Sequence, residues 1–266
     1  MEQVSLSHLG GRGARGGGIP LSISLTVYLL GGLVMCLTAT IGGVTGFGAS
    51  LLSTPALLLI GLPLRWIVVI NLATVLVTRG VTVVRLRQHL SLRRPALLVL
   101  GSIPGLYCGT VLLGWVDVPF LKRFAGITII LATLLQIRAM NRPPPPRIPG
   151  APLIAGWLGG VLGATTSLNG IPPAILLARD RSAPRNFQAD LALYFVCSNA
   201  IGLSLLAARG LFVPQALVPT ALVWLPGALL GNALGTALGG RLSDRLFLSL
   251  AFVLAAVAGC ITALTA

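Results

Sequence analysis

Charge is scarce in this chain, and acidic charge scarcest. Of 266 residues only 9% are Asp, Glu, Lys or Arg, and five acidic residues stand against 19 basic ones. A soluble domain carries about 25% charged residues, so an ordinary water-facing surface is excluded. Histidine is limited to His8 and His89, in a tail and a loop, and neither HExxH nor paired carboxylates occur. Metal-assisted or acid–base hydrolysis therefore lacks its residues, no metal or cofactor is expected, and the chain does not read as an enzyme. No Glu or His falls inside an apolar run, so no clear proton relay or sodium site is on offer. Cys36, Cys108, Cys197 and Cys260 lie inside apolar runs without a CxxC and read as small buried hydrophobes.

What is present is hydrophobic sequence. The chain is 55% hydrophobic with a mean hydropathy of +0.95, the signature of a polytopic all-α membrane protein. Apolar runs fall at about 23–60, 66–84, 95–114, 120–137, 151–178, 188–208, 214–238 and 246–265. A helix of about 20 residues crosses a hydrocarbon core of about 30 Å. The first run is too long for one crossing, 151–178 is somewhat long, and both are interrupted by Gly, Pro or Asn. Each is read as a broken or re-entrant helical hairpin. The net charge of +14 would indicate nucleic acid in a soluble protein. Here most Arg sit in short loops between apolar runs, where they act as topology signals, so the bilayer is the partner and nucleic acid is not. The excess of Arg over Lys points to a GC-rich bacterial genome, and hence to an inner-membrane location.

The chain divides at the proline-rich segment Asn141-Arg-Pro-Pro-Pro-Pro-Arg147. The expected organisation is a disordered, retained tail (1–22), a first transmembrane repeat (23–137), a cytoplasmic linker (138–150) and a second repeat (151–266). The halves are similar. Pro55-Ala-Leu-Leu-Leu59 matches Pro173-Ala-Ile-Leu-Leu177, Asn71-Leu-Ala-Thr-Val75 resembles Asp190-Leu-Ala-Leu-Tyr194, and Ile103-Pro-Gly105 with Gly109 matches Leu225-Pro-Gly227 with Gly231. Loops at 85–94, 138–150, 179–187 and 239–245 carry 12 Arg, against six basic residues in the other loops and the tail, which puts the first set in the cytoplasm. Each half is then a hairpin plus three spans, and the odd displacement inverts the second half relative to the first. Inverted repeats with discontinuous helices form transporters with substrate near the midplane.

The stretch Gly42-Gly-Val-Thr-Gly-Phe-Gly-Ala-Ser-Leu-Leu-Ser-Thr-Pro55 sets glycines and a Ser-Thr-Pro in an apolar run. Irregular backbone at membrane depth is tolerated where it is enclosed in protein or lines a cavity, so the stretch is either a substrate site or a close-packing device. Proline suits a first helical turn, with Ser, Thr or Asn before it as cap. Short helices are therefore expected to begin at Ser53-Thr54-Pro55 and at Asn169-Gly-Ile-Pro-Pro173. Their N-termini present N–H groups and partial positive charge suited to a small anion. The candidate binding set takes Gly46 and Gly48 from the first break, with Ser53, Thr54 and Pro55. From the second it takes Thr166, Asn169, Gly170, Pro172 and Pro173. The spans that follow add Asn71, Thr74, Thr78 and Arg79, then Tyr194 and Asn199. Arg79, inside its run, either contacts the anion or snorkels towards the cytoplasmic edge, and snorkelling is favoured. Asp190 is the sole coupling candidate, near the cytoplasmic end of its span with Arg185 as a plausible neighbour.

With these motifs in hand, over roughly residues 23 to 265, the chain resembles the TauE/SafE family of sulfite-exporter-like membrane transporters. The resemblance rests on Ser53-Thr-Pro-Ala-Leu57, the basic loop after the second run, Ile103-Pro-Gly-Leu-Tyr-Cys-Gly109, Gly170-Ile-Pro-Pro173 and Leu225-Pro-Gly-Ala-Leu-Leu-Gly231. It implies export or import of small anions such as sulfite or organosulfonates. One departure is local: the family's second hairpin reads like Gly-x-Gly-Gly-Pro, where this chain has Ser167-Leu-Asn-Gly-Ile-Pro-Pro173. The other readings are an accessory membrane subunit, whose small residues serve packing alone, and a membrane-embedded enzyme. Composition leaves the anion, the direction of transport, the coupling ion and the oligomeric state open.

Overall fold

A computed structural model of the chain describes residues 25–115, 150–179, 184–211 and 214–238, with isolated helical positions between 119 and 134. The expected tail, the proline-rich segment, most of the fourth run and the last run lie outside the described residues. All regular structure described is helical: α1 (Leu25–Thr45), α2 (Ala49–Leu59), α3 (Leu64–Arg85), α4 (Arg93–Trp115), α5 (Ala151–Thr166), α6 (Ile171–Arg179), α7 (Pro184–Ala208) and α8 (Pro214–Leu238). A 3-10 turn at Arg87–His89 joins α3 to α4. Five of these helices, α1, α3, α4, α7 and α8, are long and apolar enough to cross a membrane.

Both long apolar runs break where the sequence places glycine, serine and asparagine. At the first break Gly46 takes φ +87°, a conformation that costs a side-chain-bearing residue energy but not glycine. The Thr45 hydroxyl accepts the Gly48 N–H at 3.0 Å and the Phe47 N–H at 3.4 Å, supplying the start of α2 with a cap that Gly48 itself cannot. At the second break Ser167 ends α5 at φ +60°, and the Ser167 and Leu168 N–H groups close onto Gly163 and Leu162. With 11 and nine residues, α2 and α6 rise only about 16 and 13 Å, so each spans about half the hydrocarbon core.

Helix starts differ from the sequence expectation. The first short helix begins at Ala49, with Pro55 inside it, so Ser53 and Thr54 are helical residues whose side chains project sideways and cap nothing. The carboxyl-side half of the motif holds no new start because the preceding Ala-Ser-Leu-Leu is already a good apolar helical turn. The second begins at Ile171, so Pro172 and Pro173 do sit in its first turn, but the Asn169 side chain turns away to α7 and leaves the cap.

The helices pack through small residues. A Cβ on Gly101, Gly105 or Gly109 of α4 would strike the backbone of Leu153, Trp157 or Val161 of α5 in turn. Both numbers rise together, so α4 and α5 run parallel. Gly231 and Gly235 of α8 lie as close to the carbonyls of Cys36 and Thr40, making α1 and α8 a second parallel pair. These two are the most extensive helix contacts in the described chain. Close backbone approach at small residues is how membrane helices associate when lipid removes the hydrophobic drive. By contrast α3 and α7 cross antiparallel: Leu72 lies by Gly202 while Arg79 lies by Phe195.

The centre is α3. Of its membrane-length window 61% is buried, against 28–44% for the other four spans. Every residue from Trp66 to Leu72 is enclosed. At the periphery, Leu25, Leu29, Leu33 and Leu37 form an exposed stripe four residues apart on α1, as Leu230, Leu234 and Leu238 do on α8. Those stripes fit contact with lipid tails.

Candidate functional site

The hairpin tips meet α3 and α7 at a buried arginine. Arg79 is only 3% exposed. It does not snorkel: its Nη2 donates to the Gly42 carbonyl in the last turn of α1 at 2.8 Å, and its guanidinium lies 5.8 Å from the centre of the Phe195 ring. The Nε–H has no partner. The expectation of snorkelling is thereby corrected. Hairpin 1 closes over this part of α3 and offers Arg79 a carbonyl from the last turn of α1.

Two small chambers share Arg79, Ala49 and Val75 in their walls. The first is bounded by the N-terminal turn of α2 (Ala49, Ser50, Leu51), by Phe47, by the second break from Ser167 to Ile171, and by Val75, Arg79 and Phe195. It holds room for about one water. Both short helices thus turn their N-terminal ends to one place, beside one cation. Among the residues named from the sequence, Arg79, Asn169 and Gly170 line this chamber.

The second chamber lies between α1, α2, α3 and α8. It is lined by Met35, Thr38, Ala39, Ala49, Ser53, Asn71, Thr74, Val75, Thr78, Arg79 and Asn232. Ser53, Asn71, Thr74 and Thr78 from the sequence set therefore gather here, while Asn169 lines the first chamber.

A polar seam ties the hairpins together. Ser53 Oγ donates to Asn71 Oδ1 at 2.9 Å. Asn71 Nδ2 donates to Thr54 Oγ1 at 3.1 Å and to Ser167 Oγ at 3.0 Å. Thr54 Oγ1 donates to the Thr166 carbonyl at 3.2 Å and lies 2.8 Å from Ser167 Oγ. Every member is buried, so each bond satisfies a group that would otherwise cost about 1–3 kcal/mol unpaired. A second cluster stands behind hairpin 2: Asn169 Nδ2 donates to Asn199 Oδ1 at 2.6 Å and to Ser198 Oγ at 3.3 Å, and Tyr194 Oη donates to the Asn169 carbonyl at 3.4 Å.

The remaining sequence candidates lie outside both chambers. Gly46 makes the first turn, Gly48 precedes α2, Pro55 is inside α2, and Pro172 and Pro173 start α6. Thr54, Thr166, Tyr194 and Asn199 support the chamber walls through the bonds above. Asp190 is held by the loop before α4: its carboxylate accepts the Ser91 N–H at 2.7 Å and the Ser91 hydroxyl at 2.6 Å. Ser91 rather than Arg185 is its neighbour, and Asp190 lines neither chamber. Sequence reasoning missed Asn232, Thr38, Ser167 and the aromatic wall of Phe47 and Phe195. Asn232 was findable, because a carboxamide inside the run 214–238 needs partners for the same reason as Asn71; the two phenylalanines carry no local signal.

The family model described as Sulfite exporter TauE/SafE matches residues 31–262. The chain belongs to this family. None of the curated proteins or solved structures matches it. TauE/SafE membership, with five membrane-length apolar helices, makes this an integral multi-pass protein of a family that carries sulfur anions across membranes. In this TauE/SafE chain the family match spans both chambers and both hairpins.

Proposed function

We infer that the chain is a transporter of small sulfur-containing oxyanions, sulfite or organosulfonates, in a bacterial inner membrane. The anion binds in the first chamber, between the N-terminal turns of α2 and α6 and against Arg79. One observation carries this reading: a guanidinium 3% exposed, on that chamber's wall, with an unpartnered Nε–H. Among the described residues Asp190 is the sole acidic side chain, and it is engaged by Ser91. A buried charge without a counter-charge is costly. Two helix N-termini, each worth about half a positive charge, face the same place and add to the demand for an anion. An accessory subunit held together by small residues needs no such cation.

The packing supports two inverted repeats meeting at this site. The first helix of each half lies parallel to the fourth helix of the other, α1 with α8 and α5 with α4, while the equivalent helices α3 and α7 run antiparallel. Ser91 and Asp190, from the cytoplasmic ends that the arginine-rich loops assign to α4 and α7, meet as that topology requires.

The chamber admits one water but not a four-heavy-atom oxyanion, so loading requires the hairpins to part. The seam of Asn71, Thr54 and Ser167 is what must loosen, and an anion that takes over the donors at the tips offsets that loss. Among the described residues neither chamber wall carries a carboxylate or imidazole, which favours a proton that travels on the anion itself.

The test is a ligand panel on the purified protein. Sulfite and short sulfonates should raise thermal stability, by about 2.7 kcal/mol at a hundred times Kd, and should accumulate in reconstituted vesicles. No stabilisation and no flux with sulfite, sulfonates, thiosulfate or carboxylates would overturn the reading.

A further inference from the structure

The second chamber is not used by the binding site just described, yet it is built in the same chemistry. Thr74 is 4% exposed and its hydroxyl has no partner. The later threonines of α3 return the hydroxyl to their own helix, Thr78 to the Thr74 carbonyl at 2.9 Å and Thr82 to the Thr78 carbonyl at 3.2 Å. Thr74 departs from that habit and leaves its hydroxyl unbonded in a chamber wall. Asn232 Nδ2 reaches only the Thr78 carbonyl, at 3.5 Å, the limit of a hydrogen bond. Arg79 lines this chamber as it does the first. Among the described residues the wall offers N–H donors and hydroxyls, and no carboxylate.

We propose that the chamber lined by Thr38, Thr74, Thr78, Arg79 and Asn232 is a second anion position, filled alternately with the first and sharing Arg79 with it. It takes the same class of small oxyanion, and the inference rests on the anion-transport reading above. The physical reason is the cost of moving a bare anion through a low-dielectric interior. A guanidinium presents five N–H donors, and one of Arg79's is committed to Gly42. The anion can therefore pass from one chamber to the other without leaving its counter-charge. The path is one-sided. At the offset of 119 that aligns Asn71 with Asp190, Thr74 and Arg79 fall on Leu193 and Ser198, so the second half has neither the Thr74 hydroxyl nor the cation.

Thr74→Val is the decisive variant, because it replaces an unpartnered buried hydroxyl by a methyl of the same shape. A structural role predicts unchanged or higher stability and unchanged transport. The second position predicts unchanged or higher stability with sulfite flux into vesicles reduced at least about tenfold, while sulfite still stabilises the purified protein with a midpoint within about twofold of wild type. Asn232→Leu, which replaces the carboxamide by an apolar group of similar volume, should give the same separation of flux from binding. Wild-type flux in both variants would overturn the second position, as would an equal loss of binding and flux, which is the behaviour of a single site. Wild-type flux leaves the first chamber standing, whereas an equal loss would place the single site across both chambers. Absence of sulfite stabilisation in the wild type would remove the transport reading itself and this inference with it.

Discussion

The two hairpins have the same outline and opposite chemistry. Hairpin 1 turns on a glycine at φ +87° with the Thr45 hydroxyl gathering the next amides; hairpin 2 turns on a serine at φ +60°. A non-glycine residue in that region costs about 1–2 kcal/mol. Ser167 is held there by Thr54 and Asn71 of the other half. Hairpin 1 caps its own turn through Thr45, whereas the turn of hairpin 2 is held by Thr54 of hairpin 1 and Asn71 of α3. Behind hairpin 1 stands a cation, Arg79; behind hairpin 2 stand neutral carboxamides, Asn169 and Asn199. On the proposed anion-transport reading, the first hairpin brings the charge that attracts the anion and the second brings neutral groups that shape the chamber.

The same contrast runs through the helix interfaces and can be broken there most forcibly. The matched positions Gly105 and Gly227 are not equivalent in space. A Cβ on Gly105 would collide with the Trp157 carbonyl, while one on Gly227 would meet its nearest neighbour, the Gly32 carbonyl, at 3.4 Å. Gly105→Ala should force α4 and α5 apart and cost about 1–3 kcal/mol or more, seen as loss of monodisperse protein in size-exclusion after extraction. Equal tolerance at both sites would show that the two parallel interfaces are alike after all.

The dependence of hairpin 2 on hairpin 1 is sharpened by a smaller change. Asn71→Ala strips Ser53, Thr54 and Ser167 of a shared partner and should lower thermal stability by about 1–3 kcal/mol. It should also raise protease or hydrogen-exchange accessibility around Ser167 more than around Gly46. The reverse pattern would mean that hairpin 2 holds itself. At the small end, Gly227→Ala should change stability by only about 0.5 kcal/mol, the level of a well-tolerated substitution.

Much of this was legible in the sequence, and the exceptions have physical causes. Length and composition indicated the spans, and glycine with polar residues inside overlong apolar runs indicated both breaks. Asn71 and Asn169 were identified because a carboxamide cannot lie idle in hydrocarbon, and each heads a hydrogen-bonded cluster. The start of α2 was not legible. Pro55 signals a helix start locally, but the Thr45 hydroxyl gathers the amides of Phe47 and Gly48, so the helix is already under way at Ala49. Arg79 was found as a residue but not as a geometry. One sequence position does not say whether a guanidinium reaches the membrane edge or folds inward, and that depends on α1 ending beside α3. The division of Thr74 and Asn169 between two chambers is likewise a property of packing between distant parts of the chain.

Arg79 decides the central claim most directly. Sulfite-dependent thermal stabilisation should be measured side by side for the wild type and Arg79→Met, each also without ligand. The account predicts that Arg79→Met folds with stability equal to or above the unliganded wild type, since a buried bare charge is replaced by an apolar chain, and that sulfite no longer stabilises it. Sulfite stabilisation of Arg79→Met equal to that of the wild type would contradict it.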